Sequence, residues 1–169
     1  LPGQIDDRKI LDLVPAHKDV DALSSEAQVL PPTVGAIREI FKRNNVDLAN
    51  KKIVVIGQGK LVGRPTAIWL TQEGYNVSVV DSKTVGVDEL LLSADIIISG
   101  AGNPGLITPN KIRNGVVIID ASTSESNGQL VGDADPACAE KCSLFTPVPG
   151  GVGPITVVML FKNLFDLNK

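Results

Sequence analysis

The sequence predicts an α/β protein, a doubly wound parallel sheet preceded by a stretch that does not belong to it. Three observations point there. Short apolar runs recur at Ile53–Ile56, Asn76–Val80, Ile96–Ser99 and Val116–Asp120. They are solid rather than alternating, the mark of strands covered on both faces. Helix-forming stretches separate them, and that alternation builds a parallel sheet. The first run also leads straight into a glycine-rich loop, Gly57-Gln58-Gly59-Lys60-Leu61-Val62-Gly63.

Each element has a local reason. A short amphipathic helix is expected over Lys9–Val14, stopped by Pro15. Pro31 and Pro32 open a second helix whose apolar residues Val34, Ile37, Ile40 and Phe41 fall on one face, and it ends near Asn44-Asn45. A helix over Pro65–Glu73 is stopped by Gly74. "VDELLLSA" reads as a short helix with Asp88 as its N-cap. "TPNKI" gives one helical turn, Leu144–Thr146 a fifth strand and Ile155–Leu167 a last, apolar-rich helix. About 45 residues precede the sheet, and no internal repeat or low-complexity tract interrupts it.

Composition narrows the function classes. The chain has 169 residues, 43% hydrophobic and 21% charged, which suits one ordinary globular domain with an appendage. A net charge of −3 argues against a nucleic-acid or anionic-membrane partner. No apolar run approaches the ~18 residues that cross a bilayer, and no signal-peptide layout opens the chain. Cys138 and Cys142 are the only cysteines, and their i,i+4 spacing reads as helical. With a single distant His they do not make a metal site, so they are expected to be packing thiols in a reducing cytoplasm. The lone His17, beside Lys18 and Asp19, reads as a surface residue.

The glycine loop carries the first functional signal. Gly57 permits a sharp exit from the strand, Gly59 a close backbone approach to a pyrophosphate, and Gly63 a tight helix–sheet contact. The amides of the following helix face the anion. This is the layout of a Rossmann-like dinucleotide-binding turn, though spaced GxGxxxG rather than GxGxxG. Asp81 ends the second strand, roughly 20 residues beyond the turn, where an acidic side chain holds ribose hydroxyls. "SGAGNPGLI" after the third strand and "TPVPGGVGPIT" near the end put two more glycine–proline loops on the same sheet edge. Either could be loop punctuation alone. No nucleophile–base arrangement can be read from spacing, so the residues by themselves describe a cofactor-binding module.

Several stretches together carry a resemblance. "KILDLVPAHKDVDAL", "LPPTVGAI", "VVIGQGKLVGRP", "ADIIISGAGNPGLI", "GVVIIDAS", "VGDAD" and "TPVPGGVGPITVVML" fall in one order along the chain. In that order the sequence resembles the bifunctional methylenetetrahydrofolate dehydrogenase/methenyltetrahydrofolate cyclohydrolases of one-carbon folate metabolism. The resemblance implies a carboxyl-terminal part. The catalytic Tyr and Lys of a Y-x-x-x-K pattern, and a Gln before the Leu-Pro that matches Leu1-Pro2, would stand upstream. No catalytic residue is therefore expected in this chain, and alone it should not turn over folate.

The implied layout has three parts. Residues 1–32 form a remnant of a second, folate-binding α/β domain. Residues 33–149 form the linking helix and the dinucleotide-binding domain. Residues 150–169 form a return loop and helix that pack toward the catalytic domain. The substrate, a tetrahydrofolate derivative, would meet Asp21, Pro147, Pro149, Gly150 and Gly151. The cofactor would meet Gly57, Gln58, Gly59, Lys60, Val62, Gly63, Arg64 and Pro65 at its pyrophosphate. Asp81 and Ser82 would meet its adenosine ribose, and Ala101, Gly102, Asp120 and Ser122 its nicotinamide side. A homodimer is implied as well.

Four departures from the family pattern matter. Gln58 stands where an Arg is frequent and Asp81 where a His is frequent. The first removes a bidentate phosphate partner and the second adds a charge that repels a 2′-phosphate, while Ser82 and Lys83 still favour one. NAD is thus expected over NADP. Ala22 and Ser122 each replace a Gly, adding side chains expected to narrow the cleft. Two other readings stay open: a stand-alone dinucleotide-binding module, and a cyclohydrolase that has lost dinucleotide binding.

Overall fold

The computed structural model describes residues 7–126 and 128–169. The expected match at Leu1-Pro2 lies outside the described residues. Five strands form one parallel sheet: β1 (Ile53–Ile56), β2 (Val77–Val80), β3 (Ile96–Ser99), β4 (Val116–Asp120) and β7 (Cys142–Phe145), in the order β2-β1-β3-β4-β7. The order reverses at β1, with β2 on one side and β3 on the other, so the crevice at their carboxyl ends is a topological switch point. Register is regular there: Ile56 lies opposite both Val80 and Ser99.

Solid apolar strands are explained by two cores. Ile53, Val55, Ile96, Ile98, Val117 and Ile119 face α2 (Pro32–Arg43), α3 (Gly63–Gln72) and α5 (Val152–Asp166). Val54, Ile56, Ile97, Val116 and Ile118 face α4 (Val87–Ser93) and the short helical turns. Alternate side chains enter opposite cores, each stabilising by roughly 1.5–3 kcal/mol when fully buried. The sheet is doubly wound, as expected.

Several boundaries differ from expectation. The short first helix, α1, covers Asp7–Leu11 rather than reaching Val14. Helix α4 is capped by Gly86 at φ 74, not by Asp88, which sits inside the first turn where its charge still favours the helix dipole. Helix α3 begins at Gly63 and α5 at Val152, each before its proline, because a first-turn proline lacks only an amide that no carbonyl would have met. The cysteine pair is not helical throughout. Asp135 accepts from the Ala137 amide and starts a 3-10 turn over Pro136–Lys141, and Cys142 is already the first residue of β7. Burial pushes both thiols up to about 11, so they are packing groups. An antiparallel ribbon, β5 (Ser124–Ser126) with β6 (Gln129–Val131), stands outside the main sheet.

The chain before the sheet is tied down by α5. Asn163 is buried and its Nδ2 donates to the Val20 carbonyl at 2.9 Å and the Leu30 carbonyl at 2.8 Å. Gly35 on α2 lets Met159 of α5 approach, since a Cβ there would lie 3.3 Å from Met159 Cγ.

Candidate functional site

The glycine loop leaves β1 at the switch point. Gly57 has φ 93, and a Cβ on it would lie 2.7 Å from the Gly100 carbonyl oxygen, so only glycine fits twice over. A Cβ on Gly63 would stand 1.9 Å from the Gly57 oxygen, and one on Gly100 2.4 Å from Val62 Cγ1. These three glycines press the β1 loop, the start of α3 and the β3 loop into one close-packed corner. Gly59 differs, because nothing lies within 4 Å of where its Cβ would be. Its outer side is open, beside the positive end of α3, while its carbonyl accepts from the Arg64 amide at 3.2 Å. A pyrophosphate fits that arrangement.

Asp81 follows β2 and is fully exposed. Its Oδ1 accepts from the Lys83 amide and the Thr84 hydroxyl, both at 2.9 Å. Those two bonds, the Lys83 amide foremost, hold its carboxyl below the usual carboxylate range. Among the described residues Oδ2 has no hydrogen-bond donor, which leaves it able to accept from a hydroxyl. Gly57 N donates to the Val80 carbonyl at 2.8 Å, so Asp81 and the glycine turn are neighbours. Gln58 folds back on its own loop, Nε2 donating to the Gly57 carbonyl at 2.8 Å. Ser82 and Lys83 are exposed beside Asp81.

A cleft of about 380 Å3 opens beyond this corner. Pro147, Pro149, Gly150 and Gly151 line it together with Val62, Asp120 and Ser122, so the structure brings most of the expected substrate side and part of the cofactor side together. The Val148–Pro149 peptide is cis. Thr33, Leu61, Leu130 and Thr156 line the same cleft and were not singled out in the sequence. Leu61 and Leu130 are 61% and 47% exposed there, an apolar surface suited to a flat ring.

Other expected residues lie elsewhere. Lys60, Arg64 and Pro65 border a separate hollow of about 180 Å3 with Leu11, Ala22 and Leu23. Ala101 and Gly102 are exposed on the β3 loop and are not among the residues lining the cleft. Asp21 is exposed on a turn outside the cleft, while Asp19 is buried under it. Asp19 accepts from the amides of Leu23 and Ser24 and from the Ser24 hydroxyl. Burial raises its carboxyl, but those bonds outweigh burial and leave it lowered. The turn needs a left-handed residue at 22, where Ala22 has φ 55. That requirement is why glycine suits the position.

Ser122 does not project into the cleft as its side chain suggested. It is 5% exposed, and its hydroxyl donates to Asp120 Oδ1 at 2.6 Å and accepts from the Asp133 amide at 2.8 Å. Asp120 is 1% exposed, and its Oδ2 accepts from the Ala134 amide. Burial, reinforced by the charge of Asp133, raises its carboxyl despite the hydrogen bonds from Ser122 and Ala134. Asp133, in the "VGDAD" stretch, was given no role from sequence and is wholly buried. Only tertiary structure shows what it binds.

With this geometry in place, comparison with known proteins is direct. A family profile for the tetrahydrofolate dehydrogenase/cyclohydrolase NAD(P)-binding domain matches residues 31–169. The bifunctional protein FolD of Clostridium novyi is 40% identical over 176 residues, covering 98% of this chain and 63% of that protein. FolD of Staphylococcus aureus is 38% identical over 180 residues, again covering 63% of its length. The chain thus spans less than two thirds of these relatives. The solved bifunctional FolD of Campylobacter jejuni superposes with a TM-score of 0.93 at 35% identity, covering 99% of this chain and 64% of that one. The Trypanosoma brucei enzyme, solved with NADP and an inhibitor, gives 0.89 at 34% identity, covering 99% and 63%. This chain belongs to the tetrahydrofolate dehydrogenase/cyclohydrolase family, and its sheet is that family's NAD(P)-binding domain.

Proposed function

We propose that this chain supplies the cofactor-binding part of an enzyme that oxidises 5,10-methylenetetrahydrofolate to methenyltetrahydrofolate and hydrolyses it to 10-formyltetrahydrofolate. The observation that carries the reading is the corner of Gly57, Gly63 and Gly100 at the switch point, with Gly59 open and Asp81 beside it. A bound nicotinamide supplies hydride acceptance from the one-carbon bridge of the folate. The chain's own part is placement. Gly57–Gly63 and the start of α3 hold the pyrophosphate, Asp81 and Ser82 the adenosine ribose, and Ala101–Gly102 with Asp120–Ser122 the nicotinamide side. Pro147–Gly151 form the floor on which the folate rests, and Asp21 anchors the pterin.

The three-part layout has support in α5. Phe161 and Phe165 are 65% and 67% exposed, and Val157, Val158 and Leu164 extend the same apolar face. In our reading residues 150–169 lay that face on the catalytic domain to which residues 1–32 belong, with the catalytic Lys and Tyr contributed there. The intact enzyme is a cytoplasmic homodimer on this reading, and sedimentation of the intact protein tests that.

NAD is the favoured cofactor, because Asp81 presents a carboxylate where a 2′-phosphate would sit and Gln58 offers no positive charge. Calorimetric titration of this chain with NAD and with NADP, at one salt concentration, is the test. Tighter NAD binding is expected. Tighter NADP binding would show that Ser82 and Lys83 outweigh Asp81. No heat with either would defeat the placement of the pyrophosphate.

A further inference from the structure

Three loops at the carboxyl edge of the sheet meet on one short internal segment, Gly132-Asp133-Ala134. The β3 loop is bound by the Asp133 carboxylate. Oδ2 accepts from Ser99 Oγ at 2.6 Å and the Ala101 amide at 2.9 Å, and Oδ1 from the Asn103 amide at 2.6 Å. The β4 loop is bound from the other side of the same residue. The Asp133 amide donates to Ser122 Oγ, which donates to Asp120 Oδ1, and the Ala134 amide returns to Asp120 Oδ2 at 2.8 Å. The third loop, after β7, touches at Gly132. A Cβ there would lie 2.2 Å from Asp120 Oδ2 and 2.9 Å from Val148 Cγ2. Thr146 closes the ring by accepting from the Asp120 amide at 2.7 Å.

We propose that Asp133, coupled through the Ser122 hydroxyl, is a positioning residue that locks the β3 loop to the β4 loop and so fixes the nicotinamide half of the cofactor site. Placing those loops against nicotinamide rests on the function proposed above, whereas the lock itself rests on the hydrogen bonds. Asp133 is 0% exposed, so it acts through Ala101 and Asn103 rather than by meeting a ligand itself. The buried carboxylate binds the β3 loop as an anion would be bound, with three donors converging on it. A glycine at position 122 lacks the hydroxyl that joins the two loops. With glycine there, the Ala134 amide on Asp120 would still tie the segment to β4, so the Ser122 hydroxyl is a second link that strengthens the coupling.

Two variants and two probes test it. Ser122→Gly removes the hydroxyl link, leaving Asp133 and the Ala134–Asp120 bond in place, and Asp133→Asn changes the acceptor itself. In Ser122→Gly, amide hydrogen exchange at Ala101 and Asn103 should quicken about tenfold while β1 amides stay unchanged. NAD affinity should fall about tenfold, while affinity for ADP-ribose, which lacks the nicotinamide ring, stays within about twofold. Asp133→Asn should produce larger changes in the same order. A purely structural role predicts that NAD and ADP-ribose weaken together, and that result overturns the proposal. So does unchanged exchange at Ala101 and Asn103. If the unsubstituted chain binds neither compound, the dinucleotide reading fails, and the exchange rates alone decide whether the lock exists.

Discussion

At the β1–β2 end of the sheet the polar groups face outward and bond only within their own turns, as Asp81 does to Lys83 and Thr84, while at the β3–β4 end they face inward and tie separate loops together. Asp81 is exposed and, among the described residues, keeps one carboxylate oxygen without a donor; Asp120 and Asp133 are buried with both oxygens engaged. The glycines differ in the same way. Gly59 borders open space, whereas Gly132 exists to let Asp120 and Val148 close in. One half of a ligand site can be made by leaving groups free and the other by holding loops rigid. The first sets which ligand is accepted, and the second sets where its reacting end lies.

The largest expected effect separates glycines that build the turn from the one that keeps it open. Gly63→Ala drives a Cβ into the Gly57 carbonyl, where no side chain can yield, and should cost about 3 kcal/mol in urea unfolding. Gly59→Ala meets nothing and should change stability by less than about 0.5 kcal/mol. It should nonetheless weaken dinucleotide binding about tenfold, because its Cβ enters the space a pyrophosphate needs. Equal stability losses in the two variants would erase the distinction between building and opening glycines.

That distinction was half legible in sequence. The glycine loop and Asp81 are local signals, two short motifs after two apolar strands, and the structure sets them side by side at the switch point. The strands were legible because burial on both faces forces solid apolar runs. The β5–β6 ribbon was missed because each of its strands is only three residues long and β5 is wholly polar; the Asn127-Gly128 dipeptide was the available signal. The network around Asp133 was not legible at all. Its partners Ser99, Ala101 and Asn103 lie some 30 residues away, and an aspartate in "VGDAD" looks the same whether buried or solvated. Ser122 shows the same limit, since its hydroxyl turns inward to meet Asp120 and the Asp133 amide, the second of them 11 residues away.

A third buried polar group tests whether self-satisfied polar groups are confined to the β3–β4 end. Asn163→Leu leaves the Val20 and Leu30 carbonyls without their donor and should cost about 2 kcal/mol. The loss should appear as faster exchange and proteolysis between residues 20 and 30, with the sheet amides unaffected. A global loss instead would place this bond in the main core.

A smaller shift is expected in ligand choice at the open end. Gln58→Arg combined with Asp81→Asn supplies a guanidinium and removes the repelling carboxylate, so the NADP-to-NAD affinity ratio should rise about tenfold, about 1.4 kcal/mol. Calorimetry at fixed salt reads it. An unchanged ratio would move the adenosine ribose away from the end of β2.

The smallest expected effect is also the most direct comparison of the two ends, because their carboxyls shift in opposite directions from the same ordinary value of 3.8. Asp81 is lowered by the Lys83 amide and the Thr84 hydroxyl, so what it contributes to stability is present above 3.8 and is lost as pH falls through its lower folded value. Asp120 is raised, chiefly by burial, so its charged form costs stability. That cost is absent below 3.8 and appears as pH climbs toward the raised folded value. Carbon-13 titration of the carboxyl groups should place the Asp81 midpoint below 3.8 and the Asp120 midpoint above it. Replacing Asp120 by Asn should flatten the pH dependence of unfolding just above 3.8 and leave the Asp81 midpoint where it was. If Asp120 titrates at or below 3.8, the hydrogen bonds from Ser122 and Ala134 outweigh burial, and the inward-facing end holds its charge as easily as the open one.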